Sequence, residues 1–124
     1  LFVKEFTMFV FRLLLIIMFI SVCTYTAFVV SEHGFGLLPI FFGDIATVNW
    51  PGQFNLDFSG FLILSGVWLA WRHHFSTIGI MLGFLGAVGG IPVLSAYLFF
   101  ASFSVNGNVG PLLLGKVRAA SMHP

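Results

Sequence analysis

The chain has 124 residues, of which 59% are hydrophobic and 7% charged, with a formal net charge of +1. A soluble domain carries roughly 25% charged residues, so this chain has too few to cover a water-facing surface of its size. The near-neutral balance, with no basic cluster along the chain, excludes a nucleic-acid binder. The expected fold is all-α: one integral membrane domain over residues 1–124, with three transmembrane helices and one short interfacial helix.

An uninterrupted apolar run from Leu13 to Val30 is long enough, at roughly 1.5 Å per residue, to cross a hydrocarbon core of about 30 Å. Arg12 precedes it and Ser31-Glu32-His33 closes it, which predicts a first span over 12–31. A cleaved signal peptide would have a shorter apolar core and a small-x-small ending, and nothing after Ile20 fits. Ile20-Ser21-Val22 is equally poor as a lipoprotein cleavage site before Cys23. That single cysteine excludes an intrachain disulfide and reads as a packing residue within the span. The chain opens on Leu1, and Met8 stands as the alternative start.

In the linker that follows, Leu38, Phe41, Phe42 and Ile45 recur at helical spacing, with Pro39 suited to a first turn and Asp44 and Thr47 off the stripe. This predicts an interfacial helix over 38–47, with a re-entrant turn as the alternative. Pro51-Gly52 predicts a tight turn. The second span is expected over 54–71, bracketed by Trp50 and Trp71 as aromatic rings mark membrane interfaces. Arg72-His73-His74 ends it. The third span is expected over 77–103. So short a link makes the two an antiparallel hairpin. The turn formers from Asn106 to Pro111 then stop the helix, and the tail carries Lys116 and Arg118.

Charge sets the expected orientation. Glu32, Asp44 and Asp57 lie in a stretch with no Lys or Arg, whereas Lys4, Arg12 and Arg72 fall on the other side. Basic residues stay cytoplasmic, so the N-terminus is expected inside and the C-terminus in the periplasm. Lys116 and Arg118 then lie outside, in conflict with the same rule.

In the third span Gly79, Gly83, Gly86 and Gly90 form one stripe, continued by Tyr97 and Ala101. Glycine is a poor helix former, so four on one face require a reason. Small residues let helix backbones approach closely in lipid. Ser59, Gly66 and Ala70 supply a matching face on the second span. The stripe is expected to hold this hairpin together, with docking on another subunit as the alternative. Pro92 is expected to kink the third span near Val88.

Candidate chemistry is sparse. The histidines are His33, His73, His74 and His123. A haem held by two axial histidines needs them at matching depth on facing helices, and these do not match. His33, His73 or His74 remain as single ligands for a haem or chlorophyll shared with a partner; no cofactor is the leading expectation. Glu32, His33, Asp44 and Asp57 fall on the acidic side and are the candidates for a divalent cation, although no fixed spacing links them. Asp57, with Asn55, has a structural use at the start of the second span. No charge lies inside a span beyond Arg12 and Asp57 near the span starts, and no nucleophile–base pair, phosphate loop or HExxH is present. An enzyme is not expected.

Three segments (38–44, 50–57 and 71–76, the last reading Trp71-Arg72-His73-His74-Phe75-Ser76) resemble small, uncharacterised bacterial three-helix inner-membrane proteins. The resemblance covers most of residues 13–115. It implies a multi-pass bacterial inner-membrane location and carries over no catalytic or binding role. The leading functional expectation is a non-catalytic accessory or assembly subunit of a larger membrane complex, respiratory or photosynthetic in type, whose partners are lipids and other membrane subunits. The alternatives are a small homo-oligomeric transporter or channel, and a haem- or pigment-binding subunit.

Overall fold

The computed structural model describes residues 2–122. Leu1 and His123 lie outside the described residues. The elements are α1 (Phe2–His33), α2 (Leu37–Thr47), α3 (Trp50–Arg72), α4 (Thr77–Gly89), α5 (Ile91–Ser102), α6 (Val109–Leu114) and α7 (Lys116–Ser121), with no strand among the described residues. α1 and α3 are long and apolar enough to cross a membrane. Their apolar windows are only 6% and 17% buried, unlike the core helix of a water-soluble domain.

α1 begins well before the expected 12–31. Lys4, Glu5 and Arg12 ride on the helix instead of ending it, and Glu5 complements the dipole in the first turn. The extension is structural. Met8 is buried with Val105 and Leu112, and Phe11, Leu98 and Ala101 pack around them.

α2 forms over almost the expected residues, but its packed side differs. Phe41, Asp44 and Ile45 are half-buried, whereas Leu38 and Phe42 are exposed. Asp44, expected off the stripe, has its backbone carbonyl where a side chain at Gly52 would stand. α3 starts at Trp50, so Pro51-Gly52 is a first helical turn and not a tight turn. The reason is local. Asn49 caps the helix by accepting from the Gly52 amide at 2.8 Å, and proline has no amide to leave unpaired in a first turn. Asp57 therefore sits in the helix body rather than at its start. Asn55 donates its side-chain amide to the Phe41 carbonyl at 3.1 Å, tying α3 to α2.

α3 and α4 form the expected antiparallel hairpin, and Ser76 caps α4 by accepting from the Gly79 amide. At the contact the two backbones nearly touch. A Cβ on Gly66 would lie 2.6 Å from the Gly83 carbonyl oxygen, and one on Gly83 would lie 2.6 Å from that of Gly66. Only hydrogen fits in either place.

The third span is not one helix. α4 ends at Gly89 and α5 starts at Ile91, with Gly90 between them at φ 68° and ψ −145°. Such a backbone is essentially confined to glycine. Pro92 then falls in the first turn of α5, where its missing amide costs nothing, rather than in a helix interior that it would only bend. The chain consequently reverses. Gly90 lies against Leu62 and Phe58, part-way along α3. From there α5 runs back, so that Tyr97 reaches Trp68, Arg72 and His73 near the C-terminal end of α3. At roughly 1.5 Å per residue α4 and α5 span about 20 and 18 Å, each too short to cross alone. Gly90→Ala is expected to cost about 1–3 kcal/mol, the usual range for strain in such a region, read as a lowered melting temperature in detergent.

α5 packs on α1. Its fully buried Ser102 accepts from Arg12 Nε at 2.8 Å through Oγ and from Arg12 Nη2 at 3.0 Å through its carbonyl. The Arg12 guanidinium also lies 3.9 Å over the Phe103 ring.

Candidate functional site

The reversal at Gly90 brings the C-terminal segment back to the end of the molecule where α1 begins and α3 ends. Asn106 at φ 53° and Gly107 at φ 78° turn the chain, and α6 and α7 fold across this end as a cap. Arg72 is its centre. Nε donates to the Leu112 carbonyl at 2.8 Å, Nη2 to the Pro111 carbonyl at 3.2 Å, and Nη1 to the Tyr97 hydroxyl at 2.6 Å. The planar fork of arginine can meet three acceptors at once.

Around it, Trp68 Nε1 donates to the Leu113 carbonyl at 3.0 Å, and Lys4 Nζ donates to Asn108 Oδ1 at 2.9 Å. Arg118 donates to the Trp71 carbonyl, with its guanidinium 3.9 Å over the Trp71 ring. Lys4, Arg12, Arg72, Lys116 and Arg118 thus gather at one end, together with Glu5. Glu32, Asp44 and Asp57 lie toward the other. The sequence showed no basic cluster because these residues are far apart along the chain.

His73 belongs to the cap. Its Nε2 lies 2.5 Å from the Tyr97 hydroxyl, which already accepts from Arg72. Partial burial, then the charge of Arg72, then that of His74 lower the His73 pKa below its ordinary value of 6.5. A depressed folded pKa gives stability that is present above the unfolded value and lost as the pH falls through the lower folded value. Melting temperatures compared between pH 8 and pH 5 are expected to fall less for His73→Gln than for the parent chain.

The other candidates do not converge. His33 is exposed at the far end of α1, and His74 is exposed in the α3–α4 turn at φ 59°. His33 and His73 lie at opposite ends and cannot share one haem. Glu32, His33, Asp44 and Asp57 form no shared site: among the described residues no group of three His, Cys, Asp or Glu is arranged to hold a metal ion. Ser21, Thr24 and Tyr25 are exposed on α1.

The packing residues divide in two. Gly66, Ala70, Gly79, Gly83 and Gly86 are buried at the α3–α4 contact, and Ser59 is half-buried, donating to the Asn55 carbonyl. Gly90 is set apart by its backbone angle and meets neighbours only at 3.6 Å. Tyr97 and Ala101 continue onto α5, which serves α1 and the cap.

One surface was missed in the sequence. Cys23, Thr24, Ala27 and Ser31 share one face of α1, lining a shallow groove with Phe28. Thr24, Ala27 and Ser31 are exposed there and Cys23 is half-buried. The spacing of four from Cys23 through Ala27 to Ser31 was the available signal, masked by the larger apolar residues between them. Compared with known proteins, the chain matches no family model, no curated protein and no solved structure.

Proposed function

We propose that the chain is an integral membrane protein and a non-catalytic accessory or assembly subunit of a larger membrane complex. In this reading α1 and α3 cross the bilayer, and α4 and α5 enter and leave on the same side. α2 lies at the opposite interface, with Leu38 and Phe42 toward the headgroup boundary. The three-span layout expected from hydropathy gives way to two crossings and a re-entrant helical hairpin. Non-helical backbone at membrane depth needs protein cover, and Gly90 has it from Leu62 and Phe58.

The basic end is then cytoplasmic by the positive-inside rule, with the N-terminal and C-terminal segments on that side. This removes the conflict over Lys116 and Arg118 and replaces the periplasmic C-terminus. A bacterial inner membrane is the location implied by the resemblance. The involvement of Met8 and Arg12 in packing supports α1 as a retained helix rather than a cleaved leader.

The observation that carries the subunit reading is the small-residue face of α1, exposed at Thr24, Ala27 and Ser31. Lipid satisfies apolar surface, but small and hydroxyl-bearing side chains at regular helical spacing are what membrane helices use against one another. Native mass spectrometry from mild detergent tests it. The parent chain is expected to retain a partner subunit, and Ala27→Phe to lose it while keeping its melting temperature. A parent chain that runs alone under every mild condition contradicts the reading.

A further inference from the structure

The basic cap contains a cavity of about 290 Å³ between the α3–α4 turn, the turn after α5 and the start of α7. Arg72, His73, His74, Ser104, Gly115 and Lys116 line it, and no acidic residue does. Arg72 is fixed by its three acceptors, so its charge is held at the wall rather than swinging free. Lys116 and His74 are exposed at the rim. The backbones meet closely behind them: a Cβ on Gly115 would lie 3.2 Å from the Arg72 carbonyl oxygen. Trp71, the chain neighbour of Arg72, carries Arg118 over its ring, and such aromatic residues mark headgroup depth.

We propose that this cavity binds the phosphate of an anionic phospholipid on the cytoplasmic leaflet. A cavity with two permanent cations, two imidazoles, a hydroxyl and no carboxylate suits an oxyanion. Its place at the end of two membrane-length helices presents it to lipid headgroups rather than to a ligand in bulk water. Anionic lipids of that leaflet attract basic residues near the surface. The inference rests on the basic end lying at a membrane interface, but not on the existence of a protein partner.

The test uses the purified chain in mild detergent with defined lipid added, read by native mass spectrometry. Phosphatidylglycerol is expected to be retained over phosphatidylcholine. Lys116→Gln with His74→Gln is expected to reduce the phosphatidylglycerol adduct by about five-fold or more, the effect of removing one basic residue near an anionic surface. Both side chains are exposed, and an unchanged melting temperature shows that the fold is kept. Lys4→Gln removes a charge from the same end outside the cavity and is expected to leave the adduct unchanged.

Equal retention of the two lipids overturns the proposal, since charge then does not select the lipid; an equal loss in Lys4→Gln overturns it as well, since diffuse charge then accounts for the binding. A separate arm uses inorganic phosphate at millimolar concentration. Displacement of the lipid by phosphate alone overturns the lipid as the source of the oxyanion. Lipid retention that phosphate does not reverse supports it. A partner subunit found or absent in the same spectra bears on the proposed function and leaves this outcome separate.

Discussion

Gly83→Ala is expected to destabilise the α3–α4 hairpin by about 3 kcal/mol, the upper part of the usual range for overpacking. The new methyl would lie 2.6 Å from the Gly66 carbonyl oxygen and 3.1 Å from the Ala70 Cβ. The first of these is backbone, so relief requires one helix to move away from the other. That movement would also pull Gly86 off Leu69, which is fully buried. Gly60→Ala is the matched control. It lies on the exposed side of α3 with nothing within 4 Å of the added carbon, and is expected to be neutral or to stabilise by up to about 1 kcal/mol through helix propensity. Melting temperature in detergent reads both. A loss at Gly60 equal to that at Gly83 would show that glycine itself, and not the close approach, governs the result.

Arg72→Lys is expected to release the cap nearly as completely as Arg72→Ala. A lysine ammonium carries charge to the same region but has no planar fork to reach Leu112, Pro111 and Tyr97 together. Hydrogen bonds to charged groups contribute roughly 1.5–3 kcal/mol each and are not additive, so the expected loss is on the order of 3 kcal/mol for docking α6 and α7. Tryptic cleavage at Lys116 and Arg118 reads it, because cutting inside a folded segment requires local opening. An opening cost reduced by that amount speeds cleavage by on the order of a hundredfold. Tyr97→Phe removes one hydroxyl shared by Arg72 and His73 and is expected to cost about 1 kcal/mol. If Arg72→Lys is cut at the parent rate, charge alone holds the cap and the hydrogen-bond geometry is irrelevant.

Much of the helical layout was legible in the sequence. The apolar run after Arg12, the small-residue faces around Gly66 and Gly83, and the turn formers after Phe103 each describe a local property that survives into the fold. The reversal at Gly90 was not legible as such. Gly-Gly-Ile-Pro within an apolar stretch fits a kinked helix as well as a hairpin. The choice rests on the backbone at Gly90, at φ 68°, and on the packing of α5 against α1, which lies far away in the sequence. A trace of it was present all the same. Lys116 and Arg118 conflict with the charge rule in a three-span layout, and the proposed layout, in which the chain turns back, has no such conflict.

The cap was hidden for a different reason. Arg72 and Arg118 act on backbone carbonyls some 40 residues distant or more, and carbonyls carry no sequence signature. His73 stands in the sequence only as a candidate single ligand, since nothing in Arg72-His73-His74 announces a tyrosine from α5. The start of α3 was missed because Pro51-Gly52 marks turns and first helical turns alike, and only the cap from Asn49 separates them.

Site-directed labelling tests the fold-back most directly. In a Cys23→Ser background, single cysteines replace Lys4, Gly36 or Met122, and an impermeant thiol reagent is applied from one side of sealed vesicles. The account predicts that positions 4 and 122 label from the same face and position 36 from the opposite one. Labelling of position 122 together with position 36 would mean that residues 77–102 cross the membrane, and would contradict the reversal at Gly90.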